Sequence, residues 1–351
     1  MTNKTKLSGY IIMMAVIWCL AYSLFHPDIV CDALKQAVIR CLDILVPSLF
    51  AFMAFSELLI QSGSYIILSK IFFPVSIVTG LPDELAAVFI ISNIAGYPVG
   101  ASIISSLYDN GRISKEDASR LICFCCNGGP AFFGGAVGLA VFSSAETGML
   151  LFVSSAIVNL AGACLYFRLF PIGTAENKNQ ISFKSDMLSA AVCRAGGNLL
   201  KICGMVLLFS GISAASAPLL RAIASDDNVR TVIYSFLEIS NLSAINGKPY
   251  FLLPFMASAG AFGGLCVICQ IASVIGNKFD IRRFIASRTV CAVLSFFVFK
   301  ALWTIFGESY ISVSAENTVI VNMNNFIPSI CLIMMIFILL FQKGLDFLKR
   351  V

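Results

Sequence analysis

The sequence predicts an all-α polytopic membrane protein of about ten hydrophobic segments, some broken or re-entrant, in two repeat-related halves. The halves are 27–170 and 195–345 of a single membrane domain. Three observations predict this: a composition no soluble surface tolerates, long uninterrupted apolar runs, and helix breakers recurring at a fixed spacing. Of the 351 residues, 58% are hydrophobic and 12% charged, with a mean hydropathy of +0.90. Soluble domains run at about 45–50% apolar and about 25% charged. A helix needs roughly 20 mostly apolar residues to cross a bilayer, and runs such as 149–170 supply them. Lipid offers no partner to backbone N–H and C=O groups, so such runs select helices, whereas a β-barrel would show short alternating segments.

The net charge of +5 does not imply a nucleic-acid partner, because Lys and Arg sit mostly in tails and loops, where topology requires them. The partner is the lipid bilayer. The 13 cysteines fall nearly all within apolar stretches, where a free thiol behaves as a small hydrophobe. They are read as reduced or buried, with no disulfide framework.

Taken in order, Lys4 and Lys6 precede an apolar stretch over 9–25. Ala21-Tyr22-Ser23 loosely resembles a cleavage site, yet equally hydrophobic segments follow, so this is read as an uncleaved first helix. In 28–44, Asp32, Lys35, Arg40 and Asp43 interrupt an apolar face, the pattern of an amphipathic helix lying in the interface. Pro47 ends it. Spanning segments are expected over 48–60, 65–80, 85–105, 121–142 and 149–170, then a polar linker over 173–186. The second half offers 199–223, a short 232–242, 251–275, 289–306 and 326–345. With Lys4 and Lys6 inside, the basic clusters at 112–120, 168–201, 278–288 and 343–349 fall on one side if 232–242 does not fully cross. The positive-inside rule then puts both termini in the cytoplasm.

A repeat accompanies this order. Ile113-Ser-Lys-Glu-Asp-Ala-Ser-Arg-Leu-Ile-Cys123 aligns with Ile281-Arg-Arg-Phe-Ile-Ala-Ser-Arg-Thr-Val-Cys291 at an offset of 281 − 113 = 168. The same offset pairs Gly96 with Gly264, Val99 with Val267, Ile103 with Ile271 and Ser105 with Ser273. Internal repeats are common in transporters, and the halves are parallel, or inverted if one broken segment re-enters.

Three places put helix breakers at membrane depth: Asn93-Ile-Ala-Gly96-Tyr97-Pro98-Val-Gly100, Asn127-Gly128-Gly129-Pro130, and Gly260-Ala-Phe-Gly263-Gly264 leading to Gln270. Each break frees backbone groups that must find partners. Transporters keep such breaks where they line a polar cavity, and hold anions at the resulting half-helix N-termini; packing at close-approach glycines is the other use. The residues expected to bind a small-molecule solute are Asn93, Gly96, Tyr97, Pro98, Asn127, Gly129, Pro130, Gly264 and Gln270. Glu57 and Glu238 lie inside apolar segments, as proton or cation coupling sites or at helix ends reaching water.

No catalytic residues are expected. His26, the single histidine, follows the first helix, and no nucleotide, phosphate-loop or nucleophile-elbow signature is present. No cofactor is called for. Cys123-Phe-Cys125-Cys126 and Cys266-Val-Ile-Cys269 carry CxxC spacing, but at one helical turn within apolar helices the reading is packing rather than metal.

The same residues resemble the YlbJ-like (SpoVV) sporulation integral membrane protein family, which carries the nucleoside-recognition Gate domain and is related to concentrative nucleoside transporters. The matching stretches are Ser56-Glu57-Leu-Leu-Ile60, Gly96-Tyr97-Pro98-Val-Gly100-Ala101, Ala118-Ser-Arg120-Leu121 and Asn127-Gly-Gly-Pro130. They continue with Gly135-Ala136-Val137, Glu238-Ile-Ser240, Gly263-Gly264-Leu-Cys-Val267-Ile-Cys-Gln270 and Asp280-Ile-Arg282, over roughly residues 45 to 300. The chain departs from the family pattern at Ser102 and Ile268, where a Lys and a His are usual. The resemblance implies delivery of dipicolinic acid to the forespore and spore cortex formation, from the mother-cell (outer forespore) membrane. A non-transporting sporulation scaffold and a nucleoside transporter are the rival expectations.

Overall fold

A computed structural model of the chain describes residues 3–173 and 184–313. The predicted segment 326–345, the basic cluster at 343–349 and most of the 173–186 linker lie outside the described residues. The chain divides into two units, Met1–Glu308 and Ser309–Val351, and the helices that carry the breaks belong to the first. Among the described residues there are helices and turns and no strand. Four helical stretches among them are long and apolar enough to cross a membrane: Ala145–Leu169, Met187–Ala222, Tyr250–Ile275 and Arg282–Phe306. Three bent helix pairs raise this to seven if each counts as one span. The protein is an all-α, multi-pass integral membrane protein.

Helix α1 (Asn3–Phe25) is followed by α2 (Pro27–Arg40), bent 103° away between Phe25 and Pro27. That is the angle an interfacial amphipathic helix makes with a spanning one, and α2 buries only Val30 and Ala37. A π-turn at Cys41–Leu45 leads into α3 (Val46–Gln61). Pro47 supplies the cause: it has no N–H for the carbonyl four residues back, so the helix opens one turn wider there.

The expected span 65–80 is two short helices, α4 (Tyr65–Ile71) and α5 (Phe73–Thr79), separated at Phe72 ahead of Pro74. α3 turns 97° into α4 at Gly63, and α5 turns 112° into α6 (Ala86–Ala95) through Gly80 and a 3-10 turn at Asp83–Leu85. The first turn holds because the Ser62 hydroxyl donates to Ser64 Oγ (2.9 Å). The second holds because Ser69 donates to the Glu84 carbonyl (2.7 Å) and Ser76 to Asp83.

The middle of the fold is α7 (Tyr97–Asp109), buried from Tyr97 to Leu107 and packed against α3, α6 and α13. α8 (Lys115–Leu121) is N-capped by Ser114, whose Oγ accepts from Asp117 N (3.1 Å). The expected span 121–142 is interrupted: turns run over 122–124, a bend follows at Cys125, the chain is irregular over 126–129, and a π-helix occupies Phe132–Phe142. That π-helix crosses α9 (Ala145–Leu169) at glycines, where a Cβ on Gly148 would stand 2.8 Å from Gly138 Cα. Small residues of this kind let membrane helices meet backbone to backbone.

α10 (Met187–Ile223) has 37 residues, about 55 Å at 1.5 Å per residue, nearly twice the hydrocarbon thickness. Arg194 and Lys201, grouped with the linker by sequence, therefore sit on this helix. The short segment 232–242 divides into α11 (Asp227–Ser235) and a 3-10 turn at Ile239–Ala244. α12 (Leu253–Phe262) and α13 (Gly264–Ile275) follow, then α14 (Arg282–Val313).

Candidate functional site

The three breaks, far apart in sequence, meet. Gly96 (φ 98°) separates α6 from α7, and a Cβ built there would lie 3.7 Å from Gly129 N; one built on Gly129 would lie 2.9 Å from Ile94 O. From the first break Tyr97 reaches the third, its buried hydroxyl shared between the carbonyls of Gly260 (2.6 Å) and Ala261 (2.8 Å). The Phe133 ring lies on both Gly128 and Gly260, where Cβ atoms would approach it to 2.6 and 2.3 Å. Pro98 occupies the first turn of α7, where a missing N–H costs nothing, and Pro130 opens the turn into the π-helix. In this conformation the breaks are packed by glycine contacts and aromatic rings.

Gly263 (φ 85°) precedes α13 as Gly96 precedes α7, one residue before the Gly264 that the 168-residue offset pairs with Gly96, and Gly264 (φ 85°) opens the helix; all three need a conformation glycine adopts freely. The N-terminus of α13 faces backbone carbonyls: Leu265 N donates to Phe236 O (2.9 Å) and Cys266 N to Leu237 O (2.8 Å). Those N–H groups are therefore already bound. Gln270 lies further along α13, its Nε2 on Cys266 Sγ (3.3 Å), outside the contact of the three breaks.

Asn93 and Asn127 both border the junction. Asn93 Nδ2 donates to the carbonyls of Phe89 (2.8 Å) and Phe124 (3.1 Å), and its Oδ1 accepts from Asn159 Nδ2 of α9 (2.7 Å). Asn127 is 1% exposed; its Nδ2 reaches Ser155 Oγ at 3.4 Å and its Oδ1 has no partner. The chain of polar groups ends on Arg288 of α14. Its Nη1 donates to Cys126 O (2.8 Å), and its Nη2 to Cys123 O (2.6 Å) and Asn159 Oδ1 (2.6 Å). The Tyr97 hydroxyl lies against the same guanidinium.

Glu57 is 2% exposed on α3, and its Oε1 accepts from Gln61 Nε2 (2.8 Å), Ser106 Oγ (2.9 Å) and Arg194 Nε (3.2 Å). Arg194 also pairs with Asp109 (3.0 Å), which pairs with Lys278 (2.7 Å). These two acids and two bases tie α3, α7, α10 and the α13–α14 loop together. Glu238 caps the 3-10 turn after α11, accepting from Ser240 N (3.0 Å) and the Ser240 hydroxyl. Neither glutamate touches the junction of breaks. The described cysteines are all free, and among the described residues no group of three or more His, Cys, Asp or Glu is placed to hold a metal ion.

Sequence reasoning grouped Arg288 with the topology charges at 278–288 and did not single out Asn159 or Phe133. One signal for Arg288 was available: the 168-residue offset puts it opposite Arg120, each directly ahead of an apolar run. A cavity of about 240 Å³ lined by residues including Arg221, Asp227, Arg230 and Tyr234 is separate from the three breaks.

No family model matches the chain, and no solved structure matches it. The chain is similar to the sporulation integral membrane protein YlbJ of Bacillus subtilis (strain 168), 29% identical over 163 residues. The similarity covers 45% of this chain and 39% of that relative, so less than half of either protein is matched.

Proposed function

We propose that this protein acts in sporulation as a membrane carrier for a small polar or anionic solute, dipicolinate by the family resemblance, bound where the three helix breaks converge. The observation that carries the reading is the convergence itself. Three interruptions from separate parts of the chain are brought to one buried point lined by Asn93, Tyr97 and Asn127. Broken helices are kept in membranes where they serve a site. The similarity to a sporulation membrane protein supports the setting.

The layouts α6–Gly96–α7 and α12–Gly263–α13 are alike, as two repeat-related halves of a carrier would be, and movement of one against the other would open the junction. Glu57 and Glu238 remain the coupling candidates. Glu238 is the freer of the two, since its bonds are to its neighbour Ser240.

A specific observation favours the rival reading of a non-transporting scaffold: the rings of Phe133 and Tyr97 lie tightly on the break glycines. Uptake separates the two. Proteoliposomes of the full chain should accumulate labelled dipicolinate, Asn127→Ala should abolish this without loss of folding while Gln270→Ala, outside the junction, should leave it, and unlabelled nucleosides should not compete. Normal uptake by Asn127→Ala rejects the site; competition by nucleosides changes the cargo; no uptake by the wild type favours the scaffold.

A further inference from the structure

Arg288 is the bulkiest fully buried side chain among the described residues, at 0% exposure. A guanidinium keeps its proton under any physiological condition, so a full positive charge stands inside the membrane domain. The groups described around it are neutral, the Tyr97 hydroxyl among them. Three oxygens accept from it, those of Cys123, Cys126 and Asn159. Cys291 Sγ is 3.6 Å from Nη2, and the rings of Phe124 and Phe284 lie 5.9 and 5.7 Å away. No Asp or Glu is within ion-pair distance of it among the described residues.

Carbonyls at the end of a broken helix explain why an arginine hydrogen-bonds there. They do not explain why its charge has no counter-ion, an arrangement that is costly and marks function in membranes. Hydrogen-bonding capacity is also left over around the junction. Arg288 Nε, Asn127 Oδ1 and the Ser92 hydroxyl are buried without a partner, and Asn127 and Ser92 are 1% and 0% exposed. Amide ends are interchangeable, so Asn127 can present its NH₂ as a donor.

We infer that the Arg288 guanidinium is the group that recognises the solute, and that it selects a carboxylate. The inference rests on the carrier reading and deepens it by naming the residue that recognises the solute. A carboxylate supplies the missing counter-charge and accepts a charge-assisted hydrogen bond from Nε. Arg288 Nε is the guanidinium donor open to it.

The test is the thermal shift of the full chain in detergent with dipicolinate and, as control, its uncharged diamide. Dipicolinate should stabilise the wild type in a concentration-dependent way and the diamide should not. Arg288→Gln removes the charge but also the bonds to Cys123 and Cys126, so a second variant is needed. Asn159→Asp places a carboxylate 2.6 Å from Nη2 and supplies an internal counter-ion, at the cost of the bonds its Nδ2 makes to Asn93 Oδ1 and the Phe124 carbonyl; Asn159→Leu loses the same bonds without adding charge and is its control. Asn159→Asp should remain folded and bind dipicolinate about thirtyfold more weakly or worse, with a clearly smaller loss in Asn159→Leu; equal losses in the two variants overturn the inference. Wild-type dipicolinate affinity in Asn159→Asp, or equal stabilisation by the diamide, overturns the inference. Nucleoside uptake by a wild type that dipicolinate fails to stabilise overturns it while leaving the carrier standing. A wild type that neither is stabilised by dipicolinate nor takes up either solute overturns both.

Discussion

The ring of Tyr97 occupies the space a side chain on Gly263 would need: a Cβ there would lie 2.9 Å from Tyr97 Cζ. Two breaks 166 residues apart (263 − 97) are thus fitted to each other by one aromatic ring and one missing methyl group. Gly263→Ala meets both this contact and a φ of +85°, and should cost about 2–4 kcal/mol. Tyr97→Phe leaves the Gly260 and Ala261 carbonyls without their donor, at about 1–3 kcal/mol. In a double variant with Tyr97→Ala the steric part of the Gly263→Ala cost should vanish and the backbone part remain, so the two changes should not add. Unfolding midpoints in detergent measure all three.

Gly148 faces a harder limit. A Cβ there would stand 2.1 Å from the Phe133 carbonyl oxygen, whereas one on Gly135 meets nothing within 4 Å. Gly148→Ala should therefore force α9 off the π-helix and lower the yield of folded protein, with Gly135→Ala behaving as wild type. Size-exclusion profiles of the two variants decide this.

The ion network predicts unequal effects from its two acids. Glu57 is buried, and Glu57→Ala leaves Arg194 and Ser106 short of an acceptor, at about 1–3 kcal/mol. Asp109 is more exposed, so Asp109→Asn should cost about 0–1 kcal/mol. Thermal unfolding of the two variants checks the order.

At the edge of the fold, Arg283 donates to Glu116 at 2.6 Å and holds its carboxyl below the usual carboxylate range. A carboxylate whose proton affinity is lower in the folded state stabilises above its unfolded pKa, and the benefit is lost as pH falls through the folded value. The midpoint of the wild type should exceed that of Glu116→Gln by a small margin at neutral pH, and the curves should converge on acidification below about pH 4. Curves that stay parallel down to acid contradict the tie.

Much of this architecture was legible in the residues. Composition alone decides helices in lipid, and the interruptions at Gly96, Asn127–Gly129 and Gly263–Gly264 announce themselves because Gly and Pro cannot hide at membrane depth. Arg288 could not be read the same way. A basic residue beside an apolar run looks like a topology charge, and only tertiary packing shows that α14 carries it inward to the carbonyls of Cys123 and Cys126. Phe133 gave no warning, since an aromatic in an apolar stretch is ordinary, and its place on Gly128 and Gly260 depends on a crossing the sequence does not encode locally. The break at Phe72, which splits the expected span 65–80, was signalled by Pro74 and masked by the hydrophobicity around it.

A carrier requires the junction to open to water. Cys126 tests this directly, because its thiol is fully buried, it packs near Gly100, and its carbonyl accepts from Arg288. With the other cysteines replaced, a small membrane-impermeant thiol reagent should label Cys126 slowly in the folded protein, and dipicolinate should change the rate. Labelling only after denaturation, unaffected by solute, would contradict the carrier and leave a packed membrane scaffold.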